Sequence, residues 1–146
     1  MELEDLYAQC PSVPCKQNCD KCCGPTPFSP SEWRRAKRHL KHLKHKTCTF
    51  LTQGTIAGTV IPAQVVRDHG EMLYACVFKT PHGCSIYEDR PFTCRVFGTV
   101  RGLDFSCPEG RAPLFPLERK KVIKLVGQYR VIVAREVAAE REGRGK

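Results

Sequence analysis

A chain of 146 residues suits one domain and is long enough to bury a core of about 70% of its unfolded surface. A hydrophobic share of 41% and a charged share of 27% exclude disorder of the whole chain, and no apolar run approaches the ~20 residues of a membrane span. The net charge of +9 favours contact with something anionic without saying what.

The opening "MELEDLYAQC" is acidic and lacks the basic-then-apolar order of a secretory signal. The expectation is a cytoplasmic protein in a reducing compartment, with no membrane partner. Ten cysteines is an unusual number for such a chain, and the even count keeps a disulfide framework in view. In reducing cytosol, clustered cysteines are more often metal ligands than disulfides, redox thiols or packing residues.

Residues up to Pro30 are rich in proline and cysteine and poor in periodic apolar positions, which predicts loop. "SPSEWRRAKRHLKHLKHK", residues 29–46, predicts a helix: Ser29 as N-cap, Pro30 at the first helical position, Glu32 completing a capping box. Trp33, Ala36, Leu40 and Leu43 fall on one face. Arg34, Arg35, Lys37, Arg38, Lys41, Lys44 and Lys46 crowd the others. Such a face can bind the phosphates of a nucleic acid, meet an acidic protein, or simply be solvated. His39, His42 and His45 step around this helix and read as exposed surface residues, and Trp33 reads as core.

From Thr47 to Thr80 the β-branched and aromatic texture predicts two to four short antiparallel strands. "EDRPFTCRVF" predicts a short helix, with Glu88 or Asp89 near its start and Pro91 in its first turn. Residues 98–116 read as loop. A long helix is predicted from about 117 to 140, with Val122, Leu125, Val126, Tyr129, Ile132, Val133 and Val137 as its buried stripe, and the basic tail 141–146 should fray. The class is α+β: two main helices, a short antiparallel sheet and extensive irregular cysteine-rich loops, in one metal-stapled domain over 1–140.

Those irregular parts hold nearly all the thiols. Cys15, Cys19, Cys22 and Cys23 form one group; Cys76, Cys84, Cys94 and Cys107 form another; Cys10 and Cys48 are left over as small buried apolar residues or free thiols. Zinc takes four ligands in a tetrahedron, and Cys19 and Cys22 have the spacing that reaches one ion from a single turn. A distant second segment normally closes the site. Adjacent side chains such as Cys22 and Cys23 point in different directions, so they serve two sites, or one binds while the other packs. Iron–sulfur clusters also use four thiolates. Cys15, Cys19 and Cys22 have the spacing of the radical S-adenosylmethionine cluster, but such enzymes resemble a far larger barrel. Four thiolates on zinc leave a formal charge of about −2, which Arg90 and Arg95, flanking Cys94, are placed to compensate.

"CKQNCDKCCG", then Cys76, then "CSIYEDRPFTCRVF" is similar to the zinc- or iron-chelating cysteine-cluster family (CxxCxxCC, YkgJ-type). The matching residues are Cys15, Cys19, Cys22, Cys23 and Gly24, then Cys76, then Gly83 to Glu88, then Arg90, Pro91, Cys94, Arg95 and Phe97, so the likeness spans about 15–97. It implies chelation of zinc or iron. Flagellin lysine N-methylases resemble this family, but no loop here supports methyl transfer. Gly98 replaces the proline of the usual "CRxFP".

The remaining motifs are weaker. His69 and Glu71 match the H-x-E of zinc deaminases without the downstream P-C-x-x-C, and His82 could substitute for a cysteine ligand. No nucleophile–base pair is visible. The leading expectation is thiolates of 15–23 and 76–107 binding zinc or an iron–sulfur cluster. The alternatives are an iron–sulfur redox or protein-modification enzyme component, and a nucleic-acid-binding module using the basic helix.

Overall fold

The computed structural model of the chain describes residues 2–11, 26–42, 46–56, 59–73, 76–80, 83–99 and 113–144, with the side chains of Cys48, Val66 and Arg67 described within the two long strands. Four α-helices and antiparallel strands make up a small α+β fold among these residues.

A helix, α1 (Leu3–Ala8), stands where the sequence predicts loop. The Glu2 backbone N–H donates to the Asp5 carboxylate at 2.8 Å, and the acidic first turn suits the positive end of the helix. Six residues cannot hold a helix in water alone. Leu3 and Leu6 bury themselves in a helical core, and that packing supplies the stability.

The next helix, α2 (Pro30–Ala36), starts as expected. Ser29 Oγ accepts from the Glu32 N–H at 3.2 Å, and the Glu32 carboxylate accepts from the Ser29 N–H at 3.0 Å. It does not continue to 46. After Ala36 the backbone tightens into a 3₁₀ turn, Lys37–His42, and Lys46 opens a strand. Like charges four apart, Arg34 with Arg38 and Lys37 with Lys41, disfavour continuation, and residues 33–46 carry no acid of their own to form i, i+4 pairs.

Strands β1 (Lys46–Ile56), β2 (Thr59–Asp68) and β3 (Glu71–Leu73) form an antiparallel sheet in that order, the first two longer than expected. The register shifts between Leu51 and Gly54, opposite Pro62, which has no N–H to give the ladder. His69 (φ 50°) and Gly70 (φ 83°) close the β2–β3 hairpin. Positive φ at both central residues matches the right-handed twist of the strands. The His69–Glu71 motif thus lies in a hairpin.

Two short strands, β4 (Lys79–Thr80) and β5 (Gly83–Cys84), pair antiparallel and lead through a 3₁₀ turn, Tyr87–Asp89, into the expected short helix, α3 (Phe92–Val96). The last helix, α4 (Arg119–Arg144), runs past its expected end near 140, so most of the tail expected to fray is helical. No helix of the described residues is long and apolar enough to cross a membrane.

Apolar side chains gather in two clusters. The helical core joins Leu3 and Leu6 of α1, Phe92 and Val96 of α3, and the α4 stripe around Leu125 and Tyr129. The second core joins Phe28, Ala36, Val66, Val77, Phe78 and Ile86 with the buried Cys76. Trp33 packs against it, with ring centroids 5.5 Å from Phe28 and 5.8 Å from Phe78. Because α2 sends Glu32 one way and Trp33 and Ala36 the other, it bridges the two cores.

Candidate metal centre

Three of the expected ligands lie among the described residues: Cys76 belongs to the second core, Cys84 packs against it, and Cys94 lies in α3. Cys76 is 8% exposed and begins a turn closed by the Lys79 N–H donating to its carbonyl at 3.1 Å. Lys79 pairs with Cys84 across the β4–β5 ladder, and the Ser85 N–H and hydroxyl both donate to the Phe78 carbonyl at 3.0 Å. This small knot holds Cys84 against the same core as Cys76. Cys94 sits in α3, whose Thr93 hydroxyl donates to the Pro27 carbonyl at 3.1 Å.

The electrostatics tie the three thiols together. Burial pushes the Cys94 thiol well above its ordinary range; negative charge on Cys76 and Cys84 pushes it further, while Arg90 and a hydrogen bond with Thr26 pull it down. Thiolate is a ligand type that both zinc and iron take, and a cation would offset the charge that neighbouring thiolates place on Cys94. Among the described residues, no three His, Cys, Asp or Glu side chains are grouped as a metal-holding set. Cys15, Cys19, Cys22, Cys23 and Cys107 lie outside the described residues, as do His82, Leu43, Lys44 and His45.

The segment leaving the first cysteine group is anchored beside Cys94. Thr26 is buried and hydrogen-bonds that thiol, Pro27 accepts from Thr93, and Phe28 is 2% exposed in the second core. No spacing rule in the sequence encodes these contacts.

Arg90 and Arg95 brace this region. Arg90 Nε donates to the Tyr87 carbonyl at 2.9 Å, and its guanidinium lies 3.9 Å from the Tyr87 ring centroid. Arg95 donates to the Arg90 and Glu88 carbonyls at 2.7 and 2.8 Å and stacks 4.2 Å over the Tyr7 ring. The Arg90 charge acts on Cys94, whereas both arginines act on Cys10. Cys10 packs against the helical core and is pushed up to about 11, chiefly by burial. Cys48 packs against the second core and is pushed up to about 12 by burial and then by Cys76.

Glu32 does far more than cap α2. Its buried carboxylate accepts from the Ser29 N–H (3.0 Å) and Tyr129 hydroxyl (2.6 Å) at Oε1, and from the Tyr7 hydroxyl (2.5 Å) and Phe92 N–H (2.6 Å) at Oε2. One carboxylate thereby joins α1, α2, α3 and α4. Burial and the Glu32 charge hold both tyrosines protonated well above the usual range. Beside it, Glu136 accepts from the Ser31 N–H at 2.7 Å and hydroxyl at 2.9 Å.

The basic face of α2 and the following turn is partly neutralised within the chain. Arg34 pairs with Glu140 at 3.3 Å, Arg35 with Glu4 at 2.5 Å, and Arg38 with Asp89 at 2.9 Å. His39, expected as an exposed surface residue, lies 2.9 Å from Asp89. Hydrogen bonds from Arg38 and His39 hold the Asp89 carboxyl below its usual range. Lys37 is exposed, and Lys41 sits in the 3₁₀ turn.

A family model, CxxCxxCC, described as "Putative zinc- or iron-chelating domain", matches residues 14–121. No curated protein and no solved structure matches the chain.

Proposed function

The chain belongs to the CxxCxxCC family, and from that premise we propose a zinc-binding domain whose ligands are thiolates of Cys15, Cys19, Cys22, Cys23, Cys76, Cys84, Cys94 and Cys107. The observation that carries this reading is the anchoring of Thr26 on Cys94, within a region where Cys76 and Cys84 act on that same thiol. Thr26 follows Cys23 by three residues, and that much chain spans at most about 11 Å. Chain connectivity alone therefore lets Cys23, the last of the first group, reach the second.

Zinc, when bound, would supply a Lewis acid that favours the thiolate form of these cysteines. The protein's part is to hold the donors. The β4–β5 knot positions Cys84, α3 positions Cys94, and Arg90 offsets the negative charge that thiolates leave. Eight thiols suit two four-cysteine sites, or one site with neighbours that pack.

The test is elemental analysis and visible absorbance of protein purified anaerobically. Stoichiometric zinc in a colourless protein supports the reading. Iron with visible thiolate-to-iron absorbance replaces zinc with an iron–sulfur cluster on the same thiols. Absence of both metals from the fresh protein, with no uptake on addition, overturns it.

A further inference from the structure

We infer that Glu32 is a positioning residue for Cys94: by accepting from the Phe92 N–H, its carboxylate fixes the start of α3, the helix that carries this thiol, before any metal arrives. The inference rests on the metal-binding reading above and deepens it.

Helix α3 is five residues long, too short to stand alone in water. Three of the five, Phe92, Thr93 and Val96, are aromatic or β-branched and suit a helix poorly. The first N–H groups of a helix have no partner within it, and the residue before the helix often supplies an acceptor. Here that residue is Pro91, which makes no side-chain cap. Glu32 takes that role from 60 residues away: its Oε2 accepts from the Phe92 N–H at 2.6 Å, in a buried setting. Within the turn that follows, the Cys94 and Arg95 N–H groups donate to the Pro91 carbonyl at 3.1 and 3.2 Å.

The helix has two sides. Phe92 and Val96 are buried in the helical core, and the Phe92 ring centroid lies 4.6 Å from that of Tyr129. Cys94 is two residues from each, roughly 200° around the helix, so its side chain leaves on the side away from that core. The start of α3 thus sets the direction of the thiol. Glu32 is itself held at Oε1 by the Ser29 N–H (3.0 Å) and the Tyr129 hydroxyl (2.6 Å), and none of these contacts needs a metal. A ligand oriented before the ion arrives costs less to immobilise, and groups that orient a ligand raise its affinity.

A general contribution to the helical core is the competing role, because Glu32 also accepts from the Tyr7 and Tyr129 hydroxyls. Tyr129→Phe weakens that core and leaves the Phe92 bond in place, so it separates the two. Glu32→Gln keeps a carbonyl oxygen for the Phe92 N–H, whereas Glu32→Ala keeps none.

The experiment has two readouts on wild type and these three variants: amide hydrogen exchange across residues 92–96 in zinc-free, reduced protein, and zinc affinity by chelator competition. In zinc-free wild type the Phe92 and Cys94 amides should exchange at least ~10-fold more slowly than in the urea-unfolded chain. Glu32→Ala should lose that protection and bind zinc about 10–100-fold more weakly, with Glu32→Gln restoring most of both. Tyr129→Phe should keep wild-type zinc affinity despite its lower stability. An unprotected Phe92 amide in zinc-free wild type overturns the inference, and that measurement needs no variant to fold. So does wild-type affinity in Glu32→Ala, or an equal loss in Glu32→Ala and Tyr129→Phe, which would mark a purely structural role. Failure of wild type to bind zinc at all is distinct: it removes the metal-binding reading itself.

Discussion

Around Glu32, four donors from four elements close on one carboxylate, whereas around Cys94 burial and the neighbouring thiols Cys76 and Cys84 raise the cost of ionisation. The helical core is finished by the polypeptide: the donors that Glu32 accepts from are buried, save the half-buried Tyr7 hydroxyl. The thiol-bearing core is held by short strands, a turn and an aromatic trio, and its sulfurs call for a cation. Folding of the first should therefore depend on hydrogen bonds and that of the second on metal. The two share α2, so each can be broken while the other is watched.

Metal removal should have the largest effect. Structural zinc supplies about 10–16 kcal/mol, comparable with or above the ~5–15 kcal/mol of a typical domain. Trp33 is the chain's one tryptophan and packs on the thiol-bearing core, so its fluorescence reports that half. Chelation should shift Trp33 emission to the red and abolish near-ultraviolet dichroism, while much of the α4 helical signal persists. Unchanged emission after complete zinc removal would show that the thiol half stands alone.

Glu32→Ala should come next. It leaves buried donors of four elements without their acceptor and should cost about 3–5 kcal/mol in urea unfolding. A loss below ~1 kcal/mol would mean the hub is incidental to stability. With zinc bound, Trp33 emission should change less than helical content, the reverse of the chelation result.

Tyr129→Phe removes one charge-assisted donor and should cost about 1.5–3 kcal/mol, with Tyr7→Phe, less buried, costing less. The pH dependence has a definite sign. Both hydroxyls titrate higher in the folded state than the ~10 of an unfolded tyrosine, so their contribution is complete below that pH and is lost as pH rises beyond it. Wild-type stability should fall in alkali, and the fall should be shallower in Tyr129→Phe.

Asp89→Asn should have the smallest effect, within ~1 kcal/mol, because its pairs with Arg38 and His39 lie at a partly exposed surface. The Asp89 carboxyl is held low, so its contribution is present above the usual aspartate range and is lost as pH falls through the depressed value. The difference between the two proteins should therefore vanish in strong acid.

Local signals carried much of this into the sequence. The capping box at Ser29, the short helix around Cys94 and the apolar stripe of α4 are read from neighbours within a turn or two. The hidden parts depend on partners far along the chain. Glu32 meets Tyr7, Phe92 and Tyr129 across 25, 60 and 97 residues, and nothing near Glu32 encodes them. Helix α1 is invisible for the same reason, since its stability comes from burial of two leucines against another element. The basic run reads as one continuous helical face because Trp33, Ala36, Leu40 and Leu43 keep helical spacing past the end of α2, and its arginines read as open because Glu4, Asp89 and Glu140 are remote in sequence. In the candidate site, motif spacing named the thiols. The packing of Cys48 on the same core as Cys76 needs the strand register, and the Thr26 anchor needs the packed structure.

Alkylation of each cysteine, followed residue by residue by mass spectrometry as zinc is added to reduced apoprotein, tests the convergence of the two segments most directly. Cys15 to Cys23 and Cys76 to Cys107 should lose reactivity together and at the same zinc equivalents. Protection of one group while the other stays reactive, or recovery of the two groups as S–S pairs from native protein, would contradict it.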